Sequence, residues 1–181
     1  MASSFIGQSG LPIGLRNNNP GNLRLSNDVW KGQIGSESGF VTFSDLAWGT
    51  RAMATVVAND INKGLNTLTQ YITSYAPPSE NDTAAYIARM SSLTGIPPDQ
   101  PFIRSLDTIK LIIKAQMQIE LGPDFAAMVP DADIDQGLAL MNSQILSDFT
   151  QVQQAVQTAG TPKTLFVLGW AFVIITLLRR K

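Results

Sequence analysis

No helix or strand can run through residues 17–22, which read Asn17-Asn18-Asn19-Pro20-Gly21-Asn22. Proline fixes one backbone dihedral and pushes Asn19 out of the helical region. Gly21 and the asparagines accept backbone conformations that other residues avoid. The stretch from Gly14 to Arg24 is therefore predicted to be a rigid polar turn flanked by Arg16 and Arg24, and the rest of the chain must be arranged around it. Three consecutive side-chain amides plus Asn22 offer donors and acceptors without net charge. That chemistry suits a neutral, hydroxyl- and amide-bearing ligand such as an N-acetylated sugar better than a phosphate. The same amides can instead bond the backbone of a complicated loop. Arg16, Asn17, Asn18 and Asn22 are candidate binding residues, with both uses open.

Breakers and caps divide the chain into short elements. Residues 1–13 read as a Ser/Gly-rich, flexible N-terminal arm. Val29–Ile34 and Gly39–Phe43 carry β-branched and aromatic residues around Gly35-Ser36-Glu37-Ser38-Gly39, the pattern of a small β-hairpin lobe that needs helices to pack against. Ser44 or Asp45 caps a helix to about Lys63, and Thr67 caps a second that ends at Pro77-Pro78. Asn81 or Asp82 caps a third that ends at Gly95. A fourth starts near Ser105 and stops at Gly122-Pro123. From Asp131 to about residue 160, Ile134, Leu138, Met141, Ile145, Phe149, Val152 and Val156 recur at spacings of three and four. They predict one long amphipathic helix, packed on the domain or serving as a stalk in a homo-oligomer.

The C-terminal segment, residues 161–181, differs in kind. Leu165 to Leu178 carries no charge and is apolar all round, and Arg179-Arg180-Lys181 follow it directly. At ~1.5 Å per residue the run spans about 21 Å, short of a bilayer core of about 30 Å. Starting at Pro162 and letting Lys163 and the terminal arginines snorkel closes part of the gap. The expectation is a C-terminal transmembrane helix, residues 162–178 meeting a lipid bilayer, with the domain on the non-cytoplasmic side. The first residues lack the basic region and apolar run of a cleaved signal peptide.

Composition narrows the chemistry. A chain of 181 residues with 44% hydrophobic and 15% charged residues can bury a core, and a net charge of -1 carries no signature of a nucleic-acid partner. Histidine and cysteine are absent. That removes the usual general base, thiol and hydroxyl–imidazole nucleophiles, and the commonest zinc ligands, and no cofactor is expected. Carboxylates come first among what remains. Glu37 in the hairpin loop and Glu80 at the start of the third helix are the candidate catalytic acids, since glycoside cleavage needs a glutamate that protonates the leaving oxygen. Trp30, Tyr75 and Tyr86 are candidate stacking surfaces for sugar rings.

Gly14-Leu15-Arg16-Asn17-Asn18-Asn19-Pro20-Gly21-Asn22-Leu23-Arg24, Trp30-Lys31-Gly32, Phe40-Val41-Thr42-Phe43, Trp48-Gly49-Thr50-Arg51-Ala52 and Ala76–Thr83 together resemble a family of phage and prophage virion structural proteins. Its members look related to lysozyme-like, peptidoglycan-cleaving lytic transglycosylases and glucosaminidases. The resemblance implies a mainly α, lysozyme-like (α+β) domain over residues 14–128. It also implies a virion protein, membrane-anchored on the expectation above, that binds and cleaves peptidoglycan strands during host entry. In such enzymes the acid glutamate ends a helix upstream of this turn. Here only a Ser/Gly arm precedes it, so Glu80 or Glu37 must be the acid. The alternative function is non-catalytic: a virion structural protein that links an internal membrane to the capsid or vertex and contacts other virion proteins.

Overall fold

The computed structural model describes residues 1–150. The chain opens with an extended arm and one helical turn, α1 (Ile13–Arg16), and then enters the asparagine turn. A two-stranded antiparallel hairpin follows, β1 (Gln33–Glu37) and β2 (Phe40–Phe43). The rest is helical: α2 (Leu46–Asn62), α3 (Leu68–Tyr75), α4 (Thr83–Thr94), α5 (Leu106–Leu121), a single turn α6 (Pro123–Ala126) and α7 (Asp131–Ala139). Residues 143–150 are helical again.

The helix starts sit where short polar side chains answer the first free N–H groups. Asp45 accepts from Trp48 N, Thr67 from Gln70 N, Asp82 from Ala85 N and Ser105 from Thr108 N. Gly95 ends α4 in the left-handed region, where a Cβ would be strained.

The hairpin lies later than its composition predicts. Gly32 adopts a left-handed conformation that interrupts the run from Val29, so pairing starts at Gln33 and takes in the expected loop through Glu37. Ser38 and Gly39, both at positive φ, make the two-residue turn, and Glu37 pairs with Phe40. The other edge of β2 is covered by the exit of the asparagine turn, through Val41 N to Leu23 O and Leu25 N to Gly39 O.

Two clusters of buried side chains form the interior. The larger joins α2, α3, α5 and α7 through Val57, Tyr71, Ile72, Ile109, Ile113, Met117 and Leu138. The smaller sits under the hairpin and holds Leu23, Val41, Phe43 and Ala52, with Trp30, Trp48 and Tyr75 against it. The asparagine turn runs between them.

Two expectations are corrected here. The long helix from Asp131 is cut at residues 140–142. The Arg51 guanidinium caps the end of α7 by donating from Nε to Leu140 O at 3.0 Å, and Asn142 Oδ1 accepts from Gln144 N at 2.8 Å to start the next helix. Ile134, Leu138, Met141 and Phe149 are buried, so the segment up to residue 150 is packed on the domain and is no stalk. Second, the fold is mainly helical with a small two-stranded sheet, and the expected spanning helix is not supported: among the described residues, no helix is long and apolar enough to cross a membrane. The run Leu165–Leu178, with the bilayer contact and orientation expected of it, lies outside the described residues.

The arm is bonded to the body at several points. Ser3 N donates to both carboxylate oxygens of the buried Asp133, at 3.1 and 3.2 Å, and Ser3 O accepts from Leu46 N. Asp133 also sits in the first turn of α7, where a negative charge is favoured. Asp133→Ala is therefore expected to cost about 1–2 kcal/mol, read by urea unfolding. Cleavage by protease before residue 10 should speed up alongside it. An unchanged midpoint with unchanged cleavage would contradict this tether.

Candidate functional site

The sequence-predicted residues divide into three groups. Asn17, Asn18 and Asn19 are buried, the last two completely. Asn18 Oδ1 accepts from Phe5 N, and its Nδ2 donates to Phe43 O and Ser4 Oγ. Asn19, which is not among the candidates, accepts from Leu23 N and donates to Leu23 O and Val41 O, each at 2.9 Å. Asn17 O accepts from Phe43 N, while its Nδ2 is buried without a partner. Of the two uses open to these amides, those of Asn18 and Asn19 serve the second: they tie the hairpin and the arm to the turn.

The second group is ion-paired and open to solvent. The Arg16 guanidinium grips Glu37 through Nη2 at 2.6 Å and Nε at 3.1 Å, with the Glu37 side chain 42% exposed. These hydrogen bonds hold the Glu37 carboxyl below its usual value, opposite to what a proton donor needs. Glu37's folded value lies below its unfolded one of about 4.3. The pair's contribution is therefore complete above the unfolded value and is lost as pH falls through the folded one. Glu37→Gln should melt below the wild type at pH 6, and the gap should close on acidification to pH 3. A gap that persists or widens in acid would contradict the pairing. Glu80 lies 3.6 Å from the Arg24 guanidinium, with both side chains more than half exposed, and joins the α3–α4 loop to the exit of the turn. Trp30 is half-buried against the small cluster beneath the hairpin.

The third group does converge. Asn22, Tyr75 and Tyr86 meet around Glu120, a residue to which sequence reasoning gave no role. Tyr86 Oη donates to Glu120 Oε1 at 2.9 Å and Asn22 Nδ2 donates to Glu120 Oε2 at 3.0 Å. Tyr75 Oη donates to Gly21 O at 2.6 Å, and its ring stands nearly edge-on to Tyr86, with centroids 6.4 Å apart. Tyr71, one turn earlier on α3, lies 5.9 Å from Tyr75 and donates to Gln116 Oε1. Burial and then the nearby Glu120 carboxylate push the Tyr75 and Tyr86 hydroxyls far above their usual range, so both stay neutral donors. Two polar atoms here have no partner: Asn22 Oδ1 and Gln116 Nε2.

Local sequence explains the convergence. On α5 the buried stripe runs Ile109, Ile112, Ile113, Gln116, Met117 and then Glu120 at helical spacing, so the last polar residues point inward with the apolar ones. Gln and Glu in the phase of a buried stripe are the signal that could have found them. Asn22 reaches Glu120 because its backbone is left-handed, which turns the side chain back toward α5.

Chemically, the arrangement is a half-buried carboxylate held by neutral donors and bordered by tyrosine rings. Among the described residues no group of three or more acidic side chains is placed to hold a metal ion. Two cavities, of about 180 and 310 Å³, lie elsewhere, at the α5–α6–α7 corner and along α5–α7, and include neither Glu37 nor Glu80.

No protein-family profile matches the chain, and the membership in lysozyme-like enzymes expected from the motifs is not supported. The chain is similar to protein P5 of Pseudoalteromonas phage PM2, with 33% identity over 115 residues covering 60% of this chain and 71% of that relative. At that identity and coverage, the chain belongs to the family of phage protein P5.

Proposed function

We propose that the chain is a non-catalytic structural protein of a phage particle, a rigid helical body that contacts other virion proteins. Kinship with phage protein P5 supports the setting. The observation that carries the non-catalytic half is the use of the asparagine turn. Asn18 and Asn19 have no exposed surface, and their amides bond the arm, the hairpin and the turn itself. Peptidoglycan cleavage through Glu80 or Glu37, the other reading of the motifs, would need a carboxyl kept protonated in an apolar setting. Both instead face solvent beside an arginine.

Purified particles of a phage that encodes the chain test this. Quantitative mass spectrometry should find it in fixed ratio to the major coat protein, and the purified full chain should leave peptidoglycan turbidity unchanged. Absence from the particles would refute the structural role. Clearing that disappears in Glu37→Gln or Glu80→Gln would refute the non-catalytic one.

A further inference from the structure

We propose that the Glu120 carboxylate, beside Tyr75 and Tyr86, receives the guanidinium or ammonium group of a basic side chain from a partner protein. This rests on the structural role above and names the chemistry of one of its contacts. Glu120 makes no ion pair among the described residues, whereas the solvent-facing Glu37 and Glu80 each sit beside an arginine. Its two bonds come from a phenol and an amide, both neutral. A carboxylate offers about four acceptor positions, so roughly half remain open.

What is missing is therefore a donor with positive charge. Lysine and arginine heads carry donors only, which matches a site of open acceptors. A partly desolvated carboxylate with neutral partners also gains most from a cation. The rings of Tyr75 and Tyr86, fixed by their own hydrogen bonds, border the place such a group would take, and aromatic faces attract cations. Access is suitable: Asn22, Tyr75, Tyr86 and Glu120 each keep part of their surface in solvent, while Tyr71 and Gln116 beneath them are sealed. A neutral N-acetylated sugar, with hydroxyl and amide donors of its own, is the competing occupant of the same acceptors.

The experiment separates these. The full chain is titrated, at low salt, with the peptide N-acetyl-Gly-Arg-Gly-amide, with the same peptide carrying citrulline (the neutral isostere of arginine), and with chitotriose. The ring resonances of Tyr75 and Tyr86 are followed by NMR. The arginine peptide should shift both rings, and its affinity should fall as salt rises. Citrulline should bind at least about tenfold more weakly, and Glu120→Gln should weaken the arginine peptide by a similar factor. No shift with the arginine peptide, or equal binding of the citrulline peptide, overturns the proposal without needing any variant. Chitotriose moving the same resonances while the arginine peptide does not would overturn it in favour of a neutral-sugar site. If the arginine peptide binds but the chain is missing from particles, the virion role fails and the cation site at Glu120 stands.

Discussion

Asn19→Ala is expected to lower the stability of the chain by about 3 kcal/mol, a large share of the roughly 5–15 kcal/mol that holds a domain together. Asn19 has no exposed surface, and its amide makes three bonds to backbone groups of Leu23 and Val41. Alanine leaves the Leu23 N–H buried without its acceptor and removes one donor each from Leu23 O and Val41 O. An unmade bond at a buried group costs about 1–3 kcal/mol, and Leu23 O keeps its bond from Val41 N. That places the sum near the middle of the possible range. Asn27→Ala is the control: Asn27 is exposed, and its loss should stay within about 0.5 kcal/mol. Urea unfolding of the two variants beside the wild type reads the difference. An Asn19→Ala midpoint no lower than that of Asn27→Ala would mean the turn does not depend on its amides.

Gly49→Ala should act against the ordinary rule. Gly49 lies inside α2, where alanine is normally better than glycine by about 1 kcal/mol. Here a Cβ would overlap the Asn18 carbonyl oxygen outright and come within 3.0 Å of the Pro20 ring. Backbone on the far side leaves no flexible side chain to move away. The expected loss exceeds about 3 kcal/mol and includes failure to fold. At Gly35, where a Cβ meets nothing within 4 Å and φ is not positive, the same change should be nearly neutral. Thermal melts of Gly49→Ala and Gly35→Ala give the comparison, and a stabilised Gly49→Ala would contradict the close packing of the turn on α2.

These two positions show what the sequence made legible and what it hid. The helix starts were readable, because a cap is a local event: Asp45, Thr67, Asp82 and Ser105 each bond an N–H three residues on. The rigidity of the turn was readable too, since Pro20 and the left-handed Asn18 and Asn22 act on their own backbone. Which way its amides face was not. That depends on Phe43, Val41 and Phe5 arriving from elsewhere, with Phe43 25 residues away from Asn18. Phe40–Phe43 reads as a strand from its own residues, but the bounds of its partner do not, because Gly32 resets the backbone between Trp30 and Gln33. The break at residues 140–142 needed Arg51, 89 residues upstream, to supply the cap on Leu140. Glu120, an isolated glutamate near a helix end, looks like surface in the sequence. Its phase with Ile113, Gln116 and Met117 says otherwise.

The central claim is that the side-chain amides of Asn18 and Asn19 are interior fasteners and not a surface offered to a ligand. Hydrogen exchange of the side-chain NH₂ groups of Asn18 and Asn19, followed by ¹⁵N NMR with and without chitotriose, tests it most directly. Exchange should be many-fold slower than at the exposed Asn27, with no change in either resonance when the sugar is added. Exchange as fast as at Asn27, together with shifts on adding chitotriose, would contradict it.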